Sequence, residues 1–297
     1  MTTPPAADPG TVLRDATAAM RQGNLRGASA LAAAAEARFR ARGDADGRMR
    51  AENLLGAVAW ETGHVGDAER YFGTALELAH GLDDSLMTAR ASNNLASVAH
   101  LTGRPDLALS LYRTALLSYQ RLGDRRGMAE TSHNLGIAFR QLGQWTDAER
   151  AAEEAVRHAD LCDDSALRAL ALVGLSELHL ELKAWPLAEH TIDRAATLAA
   201  EGNDPIGVVE TLRLRALLHL GRGDVVAALR DALAAKAEAR TLGSALLEAE
   251  CTTVAARAAR VLGDGAKAEA FRAEAEASLM RLGAAGLLER LANDWGA

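Results

Sequence analysis

Asn53 and Asn93 stand forty residues apart, as do Arg50 and Arg90, and His100 and Arg140. An asparagine amide carries both a donor and an acceptor and can pair with a peptide bond whatever its side chain. A guanidinium offers a fork of donors to a carboxylate or phosphate. Trp60 and His133 complete a polar set: Arg50, Asn53, Trp60, Arg90, Asn93, His100, His133 and Arg140. This is recognition chemistry. A second set, Leu170, Val173, Leu180, Leu217 and Leu220, is apolar and suggests either a hydrophobic pocket, a self-association patch or a stretch buried by tight winding. The sequence shows no nucleophile–base constellation, phosphate loop or metal-ligand spacing, so neither catalysis nor a cofactor is expected. His179 and His219 read as packing residues, as do Trp145 and Trp185.

The elements that position these residues are written in a grid. Gly23, Gly63, Gly103, Gly143, Gly223 and Gly263 recur every forty residues, with Lys183 as the one exception. Five residues after each grid position stands an alanine: Ala28, Ala68, Ala108, Ala148, Ala188, Ala228 and Ala268. Two amphipathic stretches flank each glycine; in the third copy they fall at 84–102 and 105–122, with Pro105 allowed in a first helical turn. The glycine suits the positive-φ residue that ends the first helix. Acidic residues after each copy, at Asp83, Asp124, Asp163 and Asp204, read as N-caps, and Thr146 with Glu149 as a capping box.

Composition agrees with an all-α chain: 49% of residues are hydrophobic but only 4% aromatic. The net charge of −7 opposes binding to nucleic acid or anionic membranes. Two cysteines without partner spacing fit a reducing, cytoplasmic setting, and no apolar run is long enough to span a membrane.

Two further columns hold small residues: Ala16, Gly56, Ala96, Gly136, Ser176, Ala216 and Ala256, and then Ala35, Ala75, Ala115, Ala155, Ala195, Ala235 and Ala275. With Asn134-Leu135-Gly136 leading to Leu142-Gly143-Gln144-Trp145-Thr146-Asp147-Ala148-Glu149, the chain resembles the tetratricopeptide repeat family over roughly residues 9–283. Its long period is similar to that of kinesin light chains and of the sensor regions of bacterial STAND-type regulators. The resemblance implies a right-handed α-solenoid of seven helix-turn-helix units. Their approximate bounds are 9–43, 44–82, 83–123, 124–162, 163–203, 204–243 and 244–283. Residues 1–8 are expected to be disordered and 284–297 to form a capping helix bearing Leu287, Leu288, Leu291 and Trp295.

The resemblance also implies that first helices line a concave groove, which would gather the polar set around a peptide or protein segment. The function expected is a non-enzymatic, regulatory scaffold. A peptide or small-molecule signal receptor and a structural homo-oligomer remain as alternatives.

Overall fold

The computed structural model describes residues 8–296 and contains, among them, fifteen α-helices and no strand. Of the segment expected to be disordered, residues 1–7 lie outside the described residues, whereas Asp8 caps the first helix by accepting from the Thr11 N–H. The chain forms two compact units, one comprising the chain up to Ala99 with Ser110–Gly123, the other His100–Leu109 with the chain from Asp124 onward.

The first unit contains α1 (Pro9–Arg21), α2 (Leu25–Ala41), α3 (Ala45–Glu61) and α4 (Val65–Gly81), with most of α5 (Ser85–Leu101) and of α6 (Pro105–Leu122). Helices α1 and α2, and α3 and α4, pack as hairpins, and α1 also neighbours α3. In the second unit four hairpins follow in order: α7 (Arg125–Gln141) with α8 (Trp145–Asp160), α9 (Ser165–Glu181) with α10 (Trp185–Glu201), α11 (Pro205–Arg222) with α12 (Val225–Thr241), and α13 (Ala245–Val261) with α14 (Gly265–Arg281). Helix α15 (Ala285–Gly296) follows on α14. Within this unit the first helices α7, α9, α11 and α13 touch in sequence, so they form one continuous layer behind which the second helices stand.

The grid explains why hairpins close. All six grid glycines have positive φ, between 68° and 85°. Lys183 keeps the same left-handed turn at φ 55°, so the exception in sequence is no exception in backbone. All three alanine-rich columns are buried, as at Ala108, Ala148, Ala195 and Ala216, because the helices approach too closely for larger side chains. At Gly56 an added Cβ would stand 2.6 Å from the Phe72 ring, whereas at Gly136 its nearest neighbour would be 3.5 Å away.

Aspartates mark where first helices begin. Asp44, Asp84, Asp124, Asp164 and Asp204 each accept a hydrogen bond from the backbone N–H three residues on. Two expected caps were therefore placed one residue early, since Asp83 takes the positive-φ turn position and Asp163 precedes the true cap. The capping box at Thr146 and Glu149 is also corrected. Helix α8 is preceded by Gln144, which makes no side-chain cap bond, and both residues lie inside the helix.

Candidate interaction surface

In the second unit, the layer of first helices carries a buried ion network. Glu177 on α9 lies between two arginines from neighbouring first helices: Arg140 Nη2 on α7 donates to its Oε2 at 2.6 Å, and Arg213 Nη2 on α11 to its Oε1 at 2.6 Å. Arg213 also donates from Nε to Glu210 Oε2 at 2.8 Å. The two arginine side chains are each 9% exposed, too little for water to replace these partners. One carboxylate thus joins three successive repeats.

Electrostatics follow from that geometry. Burial alone would push Glu177 up, but Arg140 and Arg213 outweigh it and hold the carboxyl well below the usual carboxylate range. Arg213, with Glu210, Glu250 and Glu177 around it, stays charged despite its burial. Glu250 on α13 is pushed up by burial, opposed by Arg213, with the negative charges of Glu210 and Glu177 adding to the rise. His133 on α7 is pushed down to about 4, chiefly by burial; Glu177 favours its charged form and Arg140 disfavours it. His100 is likewise held at about 4 by burial, Arg140 and Arg290, against Glu177. Both rings are neutral at pH 7, and each has a buried Nδ1 without a hydrogen-bond partner. His133 fits because Gly174 on α9 leaves room: a Cβ there would stand 2.5 Å from the ring Nδ1.

The expected polar set therefore divides. His100, His133 and Arg140 come together around Glu177, with Arg213, Glu210, Glu250 and Arg290. Arg50, Asn53, Trp60, Arg90 and Asn93 belong to the first unit. There Arg50 pairs with Asp46 on its own exposed helix face at 3.0 Å, and Arg90 is exposed. Asn53 Oδ1 accepts from Asn94 Nδ2 at 3.3 Å, and Asn53, Trp60 and Asn93 are half-buried.

The apolar set divides between core and surface. Val173 is buried in a core cluster with Leu172, Ile192, Leu214 and Leu218, and Leu180 and Leu217 pack against it. Leu170 lies at the surface and Leu220 is half-buried. The tryptophans also part company: Trp185 sets its ring against Gly221, whereas Trp145 is 43% exposed.

Glu177 was not anticipated. It lies one residue beyond the small-residue column at Ser176, but the signal was present: an acid with an arginine nearly one period away on each side, Arg140 and Arg213.

Residues 87–160 and 133–205 each match the tetratricopeptide repeat family. With the hairpin architecture, these matches identify tetratricopeptide repeats between residues 87 and 205. No curated protein matches it. Among solved structures, it is similar to a Rap protein complexed with competence and sporulation factor, with 16% identity over 99% of this chain and 78% of that one, and a TM-score of 0.79. It is also similar to a plasmid-encoded Rap conjugation gene regulator in complex with a Phr peptide, at 16% identity over 91% and 73% of the two chains and a TM-score of 0.74. A third match is a STAND signal transduction ATPase with a tetratricopeptide repeat sensor from Pyrococcus horikoshii. It shares 15% identity over 95% of this chain and 43% of that one, with a TM-score of 0.61. At these identities the likeness concerns the fold.

No helix among the described residues is long and apolar enough to cross a membrane. No group of three or more histidine, cysteine or acidic side chains that could hold a metal is found among them.

Proposed function

We propose that this protein is a non-enzymatic interaction module that binds a peptide or protein segment along the layer of its first helices and thereby regulates a partner. The observation that carries the reading is the cluster around Glu177. By tying three successive first helices together through one carboxylate, it holds a rigid, pre-organised helix layer on which a segment can be ordered at low cost. In the first unit the half-buried Asn53 and Asn93 would pair with main-chain amides. The Rap proteins of similar fold were solved with competence and sporulation factor and with a Phr peptide, which supports a peptide as the partner class. A catalytic reading is less well supported, because both oxygens of the central carboxylate are engaged by arginine and neither is available as a base.

The test is selection of peptides from a random display library on the purified protein. Affinities of the selected peptides are then measured by fluorescence anisotropy for wild type, His100→Ala and the double variant Asn53→Ala, Asn93→Ala. The expected result is a tenfold or greater loss in at least one variant with helix content unchanged. Selected peptides that bind all three forms equally would refute the reading.

A further inference from the structure

Helix α15 does more than close the last hairpin. Its N-terminal end reaches the turn between α5 and α6, where a Cβ on Gly286 would stand 3.4 Å from the His100 carbonyl oxygen and one on Gly103 would stand 3.7 Å from the Ala285 Cβ. Its middle reaches the end of α9, where Arg290 Nη2 donates to Glu181 Oε1 at 3.4 Å. Its C-terminal end is held by α13 and α14: Arg260 Nη1 donates to the Asp294 carbonyl at 2.9 Å, and Trp295 Nε1 donates to Glu269 Oε1 at 2.8 Å. A cap for the seventh repeat needs only the last of these attachments.

The bed on which α15 lies belongs to the surface described above. Arg290 is close enough to His100 and Glu250 for its charge to act on both. The helix is also lightly held. Only Leu291 on it is fully buried, Leu287 and Leu288 are half-buried, and the Arg290–Glu181 pair is nearly half exposed on both sides. Exposed pairs of this kind contribute little, so another segment making the same contacts can compete.

We propose that α15 is a built-in occupant of the partner surface of the second unit, displaced by a partner segment that carries its pattern. That pattern is Leu287, Leu288, Arg290, Leu291 and Trp295: leucines at i, i+1 and i+4, a basic residue at i+3 and an aromatic at i+8. The partner is thus a short, amphipathic helical segment with leucines at i, i+1 and i+4 and one basic residue at i+3, whose charge suits Glu181. This inference rests on the proposed binding function and adds the chemistry of the partner and the reason binding is graded.

The probe is a fluorescein-labelled synthetic peptide of residues 284–296, titrated into the full chain. Leu291→Asp loosens α15 and is expected to bind the probe at least tenfold more tightly than wild type. Arg290→Glu, which sets two carboxylates against each other at Glu181, is expected to give about threefold, and it replaces Leu291→Asp if circular dichroism shows that variant to have lost helix. A lock is built as Gly103→Cys with Ala285→Cys, whose Cβ spacing falls within the disulfide range, in a Cys162→Ser, Cys251→Ala background. Oxidation is expected to weaken probe binding at least tenfold relative to the reduced form.

Equal binding by oxidised and reduced forms, or by wild type and the loosened variants, would overturn the proposal. So would a loosened variant that elutes as a dimer and excludes the probe, since the occupant would then be a second copy. The two readings fail separately. Library-selected peptides that bind oxidised and reduced forms alike leave the binding function standing without the strap. A probe that exchanges as expected, on a protein that selects no library peptide, leaves the strap without the binding function.

Discussion

Charged side chains on first helices are arranged differently in the two units. On α3 in the first, Arg50 pairs with Asp46 four residues back on the same helix, both of them more than half exposed. Glu52 is buried beside Arg48 and Glu36, but burial and Glu36 raise its carboxyl, and Arg48 Nε and Glu52 Oε2 lack hydrogen-bond partners. In the second unit the corresponding layer sends Arg140 and Arg213 from separate helices to both oxygens of Glu177. A pair within one helix adds to that helix alone. A carboxylate shared between helices ties repeat to repeat and fixes their register.

The largest effect should therefore come from Glu177→Ala, which leaves two arginines buried without their shared partner. We expect a loss of about 3–5 kcal/mol in urea unfolding followed by circular dichroism. Asp46→Ala should leave the same curve unmoved; similar losses for the two would erase the contrast between the units.

Next in size is a pair of glycine substitutions. Gly56→Ala drives a methyl into the Phe72 ring and should cost about 1–3 kcal/mol. Gly136→Ala meets only ordinary contacts and should be neutral or gain up to about 1 kcal/mol from helix propensity, read as a shift in Tm. A cost at Gly136 equal to that at Gly56 would show that hairpin spacing, not the single ring, sets the limit.

Acid should distinguish the units as well. His100 and His133 are held at about 4 against an ordinary 6.5, so the stability they contribute is complete above 6.5 and is lost as pH falls through 4. The raised carboxyls of Glu250 and Glu52 work in the opposite sense, losing stability as pH rises. His133→Asn should accordingly flatten the fall in stability between pH 6.5 and 4, measured against wild type by hydrogen exchange at amides of α7 and α9. An unchanged slope would show that His133 charges without consequence.

The smallest effect is expected at Lys183→Gly. Relieving a positive φ in a residue with a side chain should raise stability by about 0.5–1 kcal/mol, less what glycine adds to the unfolded chain. Asp83 and Asn203, which sit in the same left-handed region, are types that tolerate it better.

Much of the fold was legible because its rules are local. Turn glycines, alanine columns and prolines in first turns each act within a few residues, and α5 and α6 end within one residue of the bounds read from the sequence. The departures have local causes too: Asp83 and Asp163 stand one place before the true caps, in the position that Gly43 and Gly123 fill before Asp44 and Asp124, so an acidic residue there looks like a cap in the sequence. Of the cluster around Glu177, His100, His133 and Arg140 stand out in the sequence by their offsets to the small-residue column, though there they suggest a groove and not a buried ion network. Glu177 was not legible, because its role depends on two helices above and below it, and the contacts of α15 were not, although the helix itself was, because they join the end of the chain to the third turn. Burial of Val173 depends likewise on how neighbouring hairpins close, which spacing alone does not specify.

The aspartate that opens first helices every forty residues makes the array editable in length. Residues 164–203 run from one such cap to the residue before the next, so their removal or duplication would join cap to cap without altering a helix boundary. That same stretch contains Glu177. A lineage of such proteins can add or shed repeats at will, but a change across α9 removes or doubles the acid that Arg140 and Arg213 share. The ion network is in that sense an address within an otherwise uniform array, marking which repeat is which.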